Sequence, residues 1–170
     1  MNNSKAYLSD ISIRTELKPG DLGYVIYRHG RLYDEEYHYG ISFETYVALG
    51  MHEFYKNYDA EADRVWVCEH DKEIIGFLLL MHRENNAAQL RYFYVEPAYR
   101  GIGLGKKLMA LYMDFLREKG YHSSYLWTTH ELNSAASLYK KHGFKLAEEK
   151  QSASFGKVLK EQRYELLLKE

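Results

Sequence analysis

The chain has 170 residues, 46% of them hydrophobic and 28% charged, which is the balance of a folded globular domain and not of a disordered chain. Twenty-three Lys and Arg against 24 Asp and Glu leave a formal net charge of -1, so no overall field exists to hold a nucleic-acid backbone. Seventeen tyrosines point to rings with polar tips on the surface or in a cleft.

Cys68 is the only cysteine. It has no partner for an internal disulfide and no companions for a metal cluster, which fits a reducing cytoplasm. Its place in the apolar run Val65-Trp66-Val67-Cys68 reads as an inert buried thiol. The opening MNNSKAYLSD lacks a basic region followed by an apolar stretch, so no signal peptide is expected. The strongest apolar run, Ile74 to Met81, contains Gly76 and is too short to cross a bilayer. With two prolines and no low-complexity tract, residues 1–170 read as a single domain.

In chain order, residues 11–17 alternate as a strand, and Lys18-Pro19-Gly20-Asp21 breaks it and starts a helix to about Arg31. A second helix is expected from Ser42 to Tyr58. Three strands follow at 64–69, 73–82 and 87–95, joined by turns that suit antiparallel hairpins. Leu104, Leu108, Leu111, Tyr112, Phe115 and Leu116 form the apolar stripe of a helix over 103–119, which Gly120 ends. A strand at 125–129, a helix at 134–142 ended by Gly143, and strands at 144–149 and 163–168 complete the chain. The order β, α, α, β, β, β, α, β, α, β, β predicts an α/β fold with a mixed, largely antiparallel sheet.

The segment that carries chemistry follows the fourth strand. Pairing stops at Pro97, and Gly101, Gly103 and Gly105 lead directly into a helix. Alternating glycines let successive backbone N–H groups converge on one point. The helix N-terminus adds free donors and partial positive charge, and Arg100 and Lys106 add full charges, so the loop suits a phosphate or pyrophosphate. A P-loop would need glycine where Arg100 stands and Ser or Thr where Lys107 stands. A dinucleotide fingerprint would need a third glycine at Lys106. The pattern that fits is [QR]-x-x-G-x-[GA], here Arg100, Gly103 and Gly105.

This segment, with Val95-Glu96-Pro97 before it and an apolar helix after it, resembles the acetyl-coenzyme A (acetyl-CoA) site of the GNAT superfamily of N-acetyltransferases. Leu138-Tyr139 with Gly143-Phe144 is similar to that superfamily's late helix and following strand, and the element order agrees. A closer resemblance, through residues such as Arg28 to Tyr33, Leu126 to Thr128 and Ser154 to Gly156, is to GNAT domains fused behind a MarR-type winged-helix regulator. The acetyltransferase-like sequence begins almost at residue 10, so a stand-alone version without DNA binding is expected.

The resemblance implies a GNAT fold with helices on both faces of the sheet. It further implies direct transfer of acetyl from acetyl-CoA to a primary amine of a small molecule or protein, without a covalent enzyme intermediate and without a metal. Phe93 and Val95 are expected to pair with the pantetheine arm through main chain, with the Val95 N–H at the thioester carbonyl. Arg100, Gly101, Ile102, Gly103, Leu104, Gly105 and Lys106 are expected to hold the pyrophosphate. Tyr139 stands where the superfamily often has the tyrosine that protonates the departing thiolate; packing of the helix is its other reading.

Leu132 occupies a slot where the superfamily commonly has asparagine. The base is open among His130, Glu131, Glu96 and ordered water, because the strand before the loop offers Gln89 and Arg91 instead of a carboxylate. Arg28, His29 and Glu36 are acceptor-pocket candidates: Arg28 for a carboxylate and Glu36 for an ammonium, with helix capping near Gly30 as the plain alternative for Arg28 and His29. A non-catalytic acyl-CoA sensing module and a homodimer through the C-terminal strands remain open.

Overall fold

A computed structural model describes residues 6–168; part of the N-terminal leader read above, residues 1–5, lies outside the described residues. The elements are β1 (Ser12–Arg14), α1 (Asp21–Tyr37), α2 (Gly40–Lys56), β2 (Arg64–His70), β3 (Glu73–Arg83), β4 (Ala87–Val95), α3 (Leu104–Glu118), β5 (Ser123–Thr129), α4 (Asn133–Lys141), β6 (Lys145–Ser152) and β7 (Leu159–Leu167). Their order is the one the sequence predicts. One seven-stranded sheet runs β1-β2-β3-β4-β5-β7-β6, and its one parallel pair is β4 with β5.

The sheet is covered on both faces. Leu104, Leu108, Met109, Tyr112 and Leu116 of α3, with Tyr139 of α4, pack with Leu78, Leu80 and Leu90 of the sheet. On the other face Val25 and Leu32 of α1, and Val47, Met51 and Phe54 of α2, pack with Val65, Val67, Phe77 and Leu79. Double coverage is why β3 is apolar without alternation, buried from Ile75 to Met81. Each fully buried aliphatic side chain contributes about 1.5–3 kcal/mol of transfer free energy.

The largest differences from the pattern reading fall in α1, β1 and the β6–β7 pair. α1 runs on to Tyr37 because Gly30 lies inside it: a Cβ there would meet the Glu44 carboxylate of α2, so the glycine marks a close helix–helix approach, not a terminus. Arg28 and His29 are therefore mid-helix residues and cap nothing. β1 is confined to Ser12–Arg14, because Arg14 turns its guanidinium onto Asp21 and Glu69. β7 starts early, at Leu159, which matches a longer β6 in register through Ser152.

Candidate functional site

The centre of the sheet opens where β4 and β5 part. Their parallel pairing covers Ala87–Leu90 against Ser123–Leu126 and stops there, so Arg91 to Val95 have no strand on the β5 side. A bulge re-aims the same segment. Arg91 faces Leu79 and Tyr94 faces Phe77, which leaves Tyr92 and Phe93 together opposite Leu78, and Tyr92 takes φ +54. Ala88 and Leu90 face the α3 side; beyond the bulge that side receives Phe93 and Val95, while Tyr92 and Tyr94 pack beneath α1 and α2. The Glu96 N–H donates to the Ile75 carbonyl of β3 at 2.8 Å. By alternation the Val95 N–H points the other way, into the opening.

The glycine loop stands at the end of this opening. Gly101 and Gly103 have φ of +79 and +94, a region that L side chains rarely adopt. Gly103 is the N-cap of α3, and the first helical N–H to find a backbone acceptor is that of Lys107, on the Gly103 carbonyl at 3.0 Å. The amides of Leu104, Gly105 and Lys106 are the open donors of the first turn. Ile102 and Leu104 turn their side chains into the core, so only their main chain faces outward, and Lys106 is exposed.

A cleft of about 600 Å³ joins these parts, lined by Phe93, Val95, Arg100, Gly101 and Gly105 on one side. Glu36, Tyr37, Glu131, Leu132 and Leu138 line the other. A smaller pocket of about 100 Å³ continues inward under α1 and α2, sharing Tyr33, Phe93 and Leu132 with the cleft. Leu132 thus lies where the two spaces meet. Tyr139 lines the inner pocket, 95% buried, with its ring 6.4 Å from that of Phe93. Burial raises its phenol well above the ordinary range, so the hydroxyl keeps its proton.

His29 also lines the inner pocket. Its Nδ1 donates to the Val25 carbonyl at 2.9 Å, which leaves Nε2 as a bare acceptor with no partner among the described residues. Burial pushes its pKa down to about 4, so the ring is neutral at ordinary pH.

The remaining sequence candidates fall into place by their partners. Arg28 does not reach either space: its guanidinium holds both oxygens of Glu96 at 2.6 Å, which removes Arg28 as a free carboxylate clamp and Glu96 as a free base. Glu36 lines the cleft but is held by Arg100, whose Nε also donates to the Val95 carbonyl at 3.0 Å. His130 accepts the Lys160 N–H at 3.2 Å on an exposed turn. Glu131 is half-buried; burial works to raise its pKa, but Lys157 at 2.6 Å, Tyr39 and the His130 charge together hold the carboxyl below its ordinary range. Cys68 is buried and its thiol is pushed up to about 12 by desolvation, so it supplies no thiolate. Among the described residues, no three His, Cys, Asp or Glu side chains gather as a metal-holding group, and no helix is long and apolar enough to cross a membrane.

Pattern reading missed the inner pocket. Tyr39, Phe43, Tyr46, Arg91, Trp127, Phe155 and Glu161 come from five separate segments, and the count of tyrosines was the one signal that a ring-lined cavity existed. Comparison with known proteins gives the same fold and a family. Solved structures of a GNAT-family acetyltransferase from Staphylococcus aureus Mu50 (TM-score 0.72, 24% identity, 94% of this chain and 99% of that one) share the architecture. So does the spermidine N-acetyltransferase from Vibrio cholerae in complex with CoA and spermine (TM-score 0.69, 22% identity, 94% and 96%). The N-acetyltransferase YjgM of Escherichia coli K12 is 35% identical over 59% of this chain and 62% of its own length, and human N-acetyltransferase 8B is 29% identical over 56% and 44%. The chain thus spans only 62% and 44% of the length of these two curated relatives. The family model described as acetyltransferase (GNAT) family matches residues 27–144, the stretch from within α1 through the glycine loop to the turn after α4, and the chain belongs to that family.

Proposed function

We propose that the chain is an N-acetyltransferase that moves acetyl from acetyl-CoA to a primary amine of a small molecule or protein by direct attack. The observation that carries this reading is the unpaired edge of β4, with the Val95 N–H turned into a cleft whose far end is the open first turn of α3. The residues present suit the cofactor. Gly101 has no atom within 4 Å of where a Cβ would stand, the Leu104, Gly105 and Lys106 amides are free, and Lys106 supplies charge at the surface.

Bound acetyl-CoA supplies a thioester, an acyl carbon with a leaving group already attached. The Val95 N–H polarises the carbonyl, Phe93 and Val95 hold the arm along the strand edge, and residues 100–106 hold the diphosphate. Tyr139, kept protonated by burial, donates to the departing sulfur. The amine attacks in its neutral form, and as the carbon–nitrogen bond forms and the carbon–sulfur bond breaks its surplus proton passes through water to restore the Tyr139 phenol. His29 Nε2, which has no partner among the described residues, stands ready to accept a hydrogen bond from that amine. The relatedness to domains fused with MarR-type regulators belongs to this proposal as well, without their DNA binding.

A second reading, an acyl-CoA sensor without turnover, draws on Leu132 at the cleft in place of a polar residue. Thiol release from acetyl-CoA across a panel of amines decides between them. Release with at least one amine supports the enzyme; tight coenzyme binding with no release on any amine supports the sensor.

A further inference from the structure

The inner pocket holds a cation that the steps above leave unused. Arg91 lines it with a side chain only 10% exposed, and its guanidinium lies 4.8 Å from the Tyr92 ring centroid and 5.9 Å from that of Tyr46. Its ion pair is a long one, 3.5 Å to Glu53 Oε2, on a carboxylate whose other oxygen Arg83 holds at 2.8 Å. Arg28 and Arg100, by contrast, spend their forks on Glu96 and Glu36. A guanidinium taken out of water needs acceptors for its donors, and a planar carboxylate fits the fork in bidentate fashion.

The bulge at Tyr92 places this charge. Without it Tyr92 would fall on the α3 face; with it Arg91 and Tyr92 stand side by side under α2, where Gly50 leaves room for both. Tyr33, Phe43, Tyr46 and Phe155 give the wall its aromatic faces, and His29, Gln89, Thr128 and Thr129 add neutral polar groups. Glu161, across the pocket on β7, adds a negative group that opposes a second carboxylate on the ligand. The inner space, about 100 Å³, is smaller than the roughly 150 Å³ that takes a benzene ring, so it encloses only the carboxylate end of a ligand, and an aliphatic body extends past Tyr33, Phe93 and Leu132 into the cleft. An acceptor with its carboxylate on Arg91 has its other end toward Phe93 and Leu132, where pocket and cleft meet.

We propose that Arg91 is the carboxylate clamp of the acceptor pocket and that the acceptor is a small monocarboxylate amine with an apolar body, an amino acid of the size of leucine. The proposal rests on reading the cleft as an acyl-transfer site, so binding and turnover are measured separately. Calorimetry on the coenzyme A-saturated protein compares L-leucine with L-leucinamide and 3-methylbutylamine, which keep the amine and body but lack the carboxylate. Expected is binding of leucine at least about tenfold tighter than either analogue, a preference lost in Arg91→Gln and partly restored in Arg91→Lys, with coenzyme A affinity unchanged in both as the measure of folding. Equal binding of leucine and its two analogues, no leucine binding at all, or an unchanged preference in Arg91→Gln overturns the clamp. Leucine binding with the expected preference but no thiol release upholds the clamp and strikes the activity alone.

Discussion

The guanidinium of Arg100 lies 2.7 Å from Oε1 of Glu36 and ties the loop after β4 to the end of α1 across the mouth of the cleft. In the proposed function the same guanidinium is one of two charges that the glycine loop would offer to a diphosphate, and Glu36 would then compete with that ligand for it. Arg100 is 46% exposed and Glu36 25%, so the pair is a screened one, worth about 0–1 kcal/mol.

Glu36→Gln therefore frees Arg100 and is expected to tighten coenzyme A binding by roughly two- to fivefold at low salt, with the gain shrinking as ionic strength rises. Calorimetric titration at two salt concentrations measures it. Weaker binding in the variant would show instead that Glu36 orients Arg100 for the ligand.

Gly103 carries a backbone demand that no side chain meets easily. At φ +94 an L residue is strained by about 1–3 kcal/mol, although the nearest atom to an added Cβ is Leu8 Cδ2 at 3.9 Å. Strain will be relieved by turning the α3 amides, so Gly103→Val is expected to lose coenzyme A binding while retaining the far-ultraviolet circular dichroism of the native fold. Wild-type affinity in that variant would remove the diphosphate from this loop.

Tyr139→Phe keeps the ring packed against Phe93, Phe144 and Tyr164 and deletes only the hydroxyl. If that hydroxyl protonates the leaving sulfur, kcat falls by roughly 10²-fold or more while coenzyme A affinity holds. A tyrosine that serves only to pack would leave both kcat and thermal stability close to wild type, so the two roles separate in one steady-state experiment paired with a melting curve.

How much of this was legible beforehand follows from the physical range of each signal. The element order and the glycine turn into α3 rest on local patterns, apolar periodicity and glycine spacing, and each appears in the structure within a few residues of its expected place, whereas Tyr139 stands out by family resemblance alone. What failed were features decided by partners distant in the chain. Arg28 looked available because Glu96, 68 positions away, carries no local mark as its partner. The Tyr92 bulge breaks the period of two inside an unbroken strand-like sequence, so Arg91 and Tyr92 read as opposite-facing when they share a face. The first helix read as ending near Arg31 because the reason for Gly30, Glu44 of the next helix, lies across a packing interface.

His29 links the inner pocket to the stability of the whole chain. Its pKa of about 4 in the fold lies below the ordinary 6.5, so between those values the unfolded chain binds more protons than the native one and stability rises with pH. The contribution of the neutral ring is fully present above pH 6.5 and is lost as pH falls toward 4. A difference of 2.5 (6.5 minus 4) corresponds to about 3 kcal/mol over the window. His29→Phe keeps an aromatic body against Tyr33, Tyr92 and Tyr94 but cannot take up a proton. Urea unfolding at pH 7, 5.5 and 4.5 is then expected to show the wild type losing stability relative to the variant at each step down, the other titrating groups cancelling in the difference. Parallel curves would mean that the ring is wetter than its enclosure by Tyr33, Phe43 and the two β4 tyrosines implies, and its Nε2 would then face solvent instead of an acceptor.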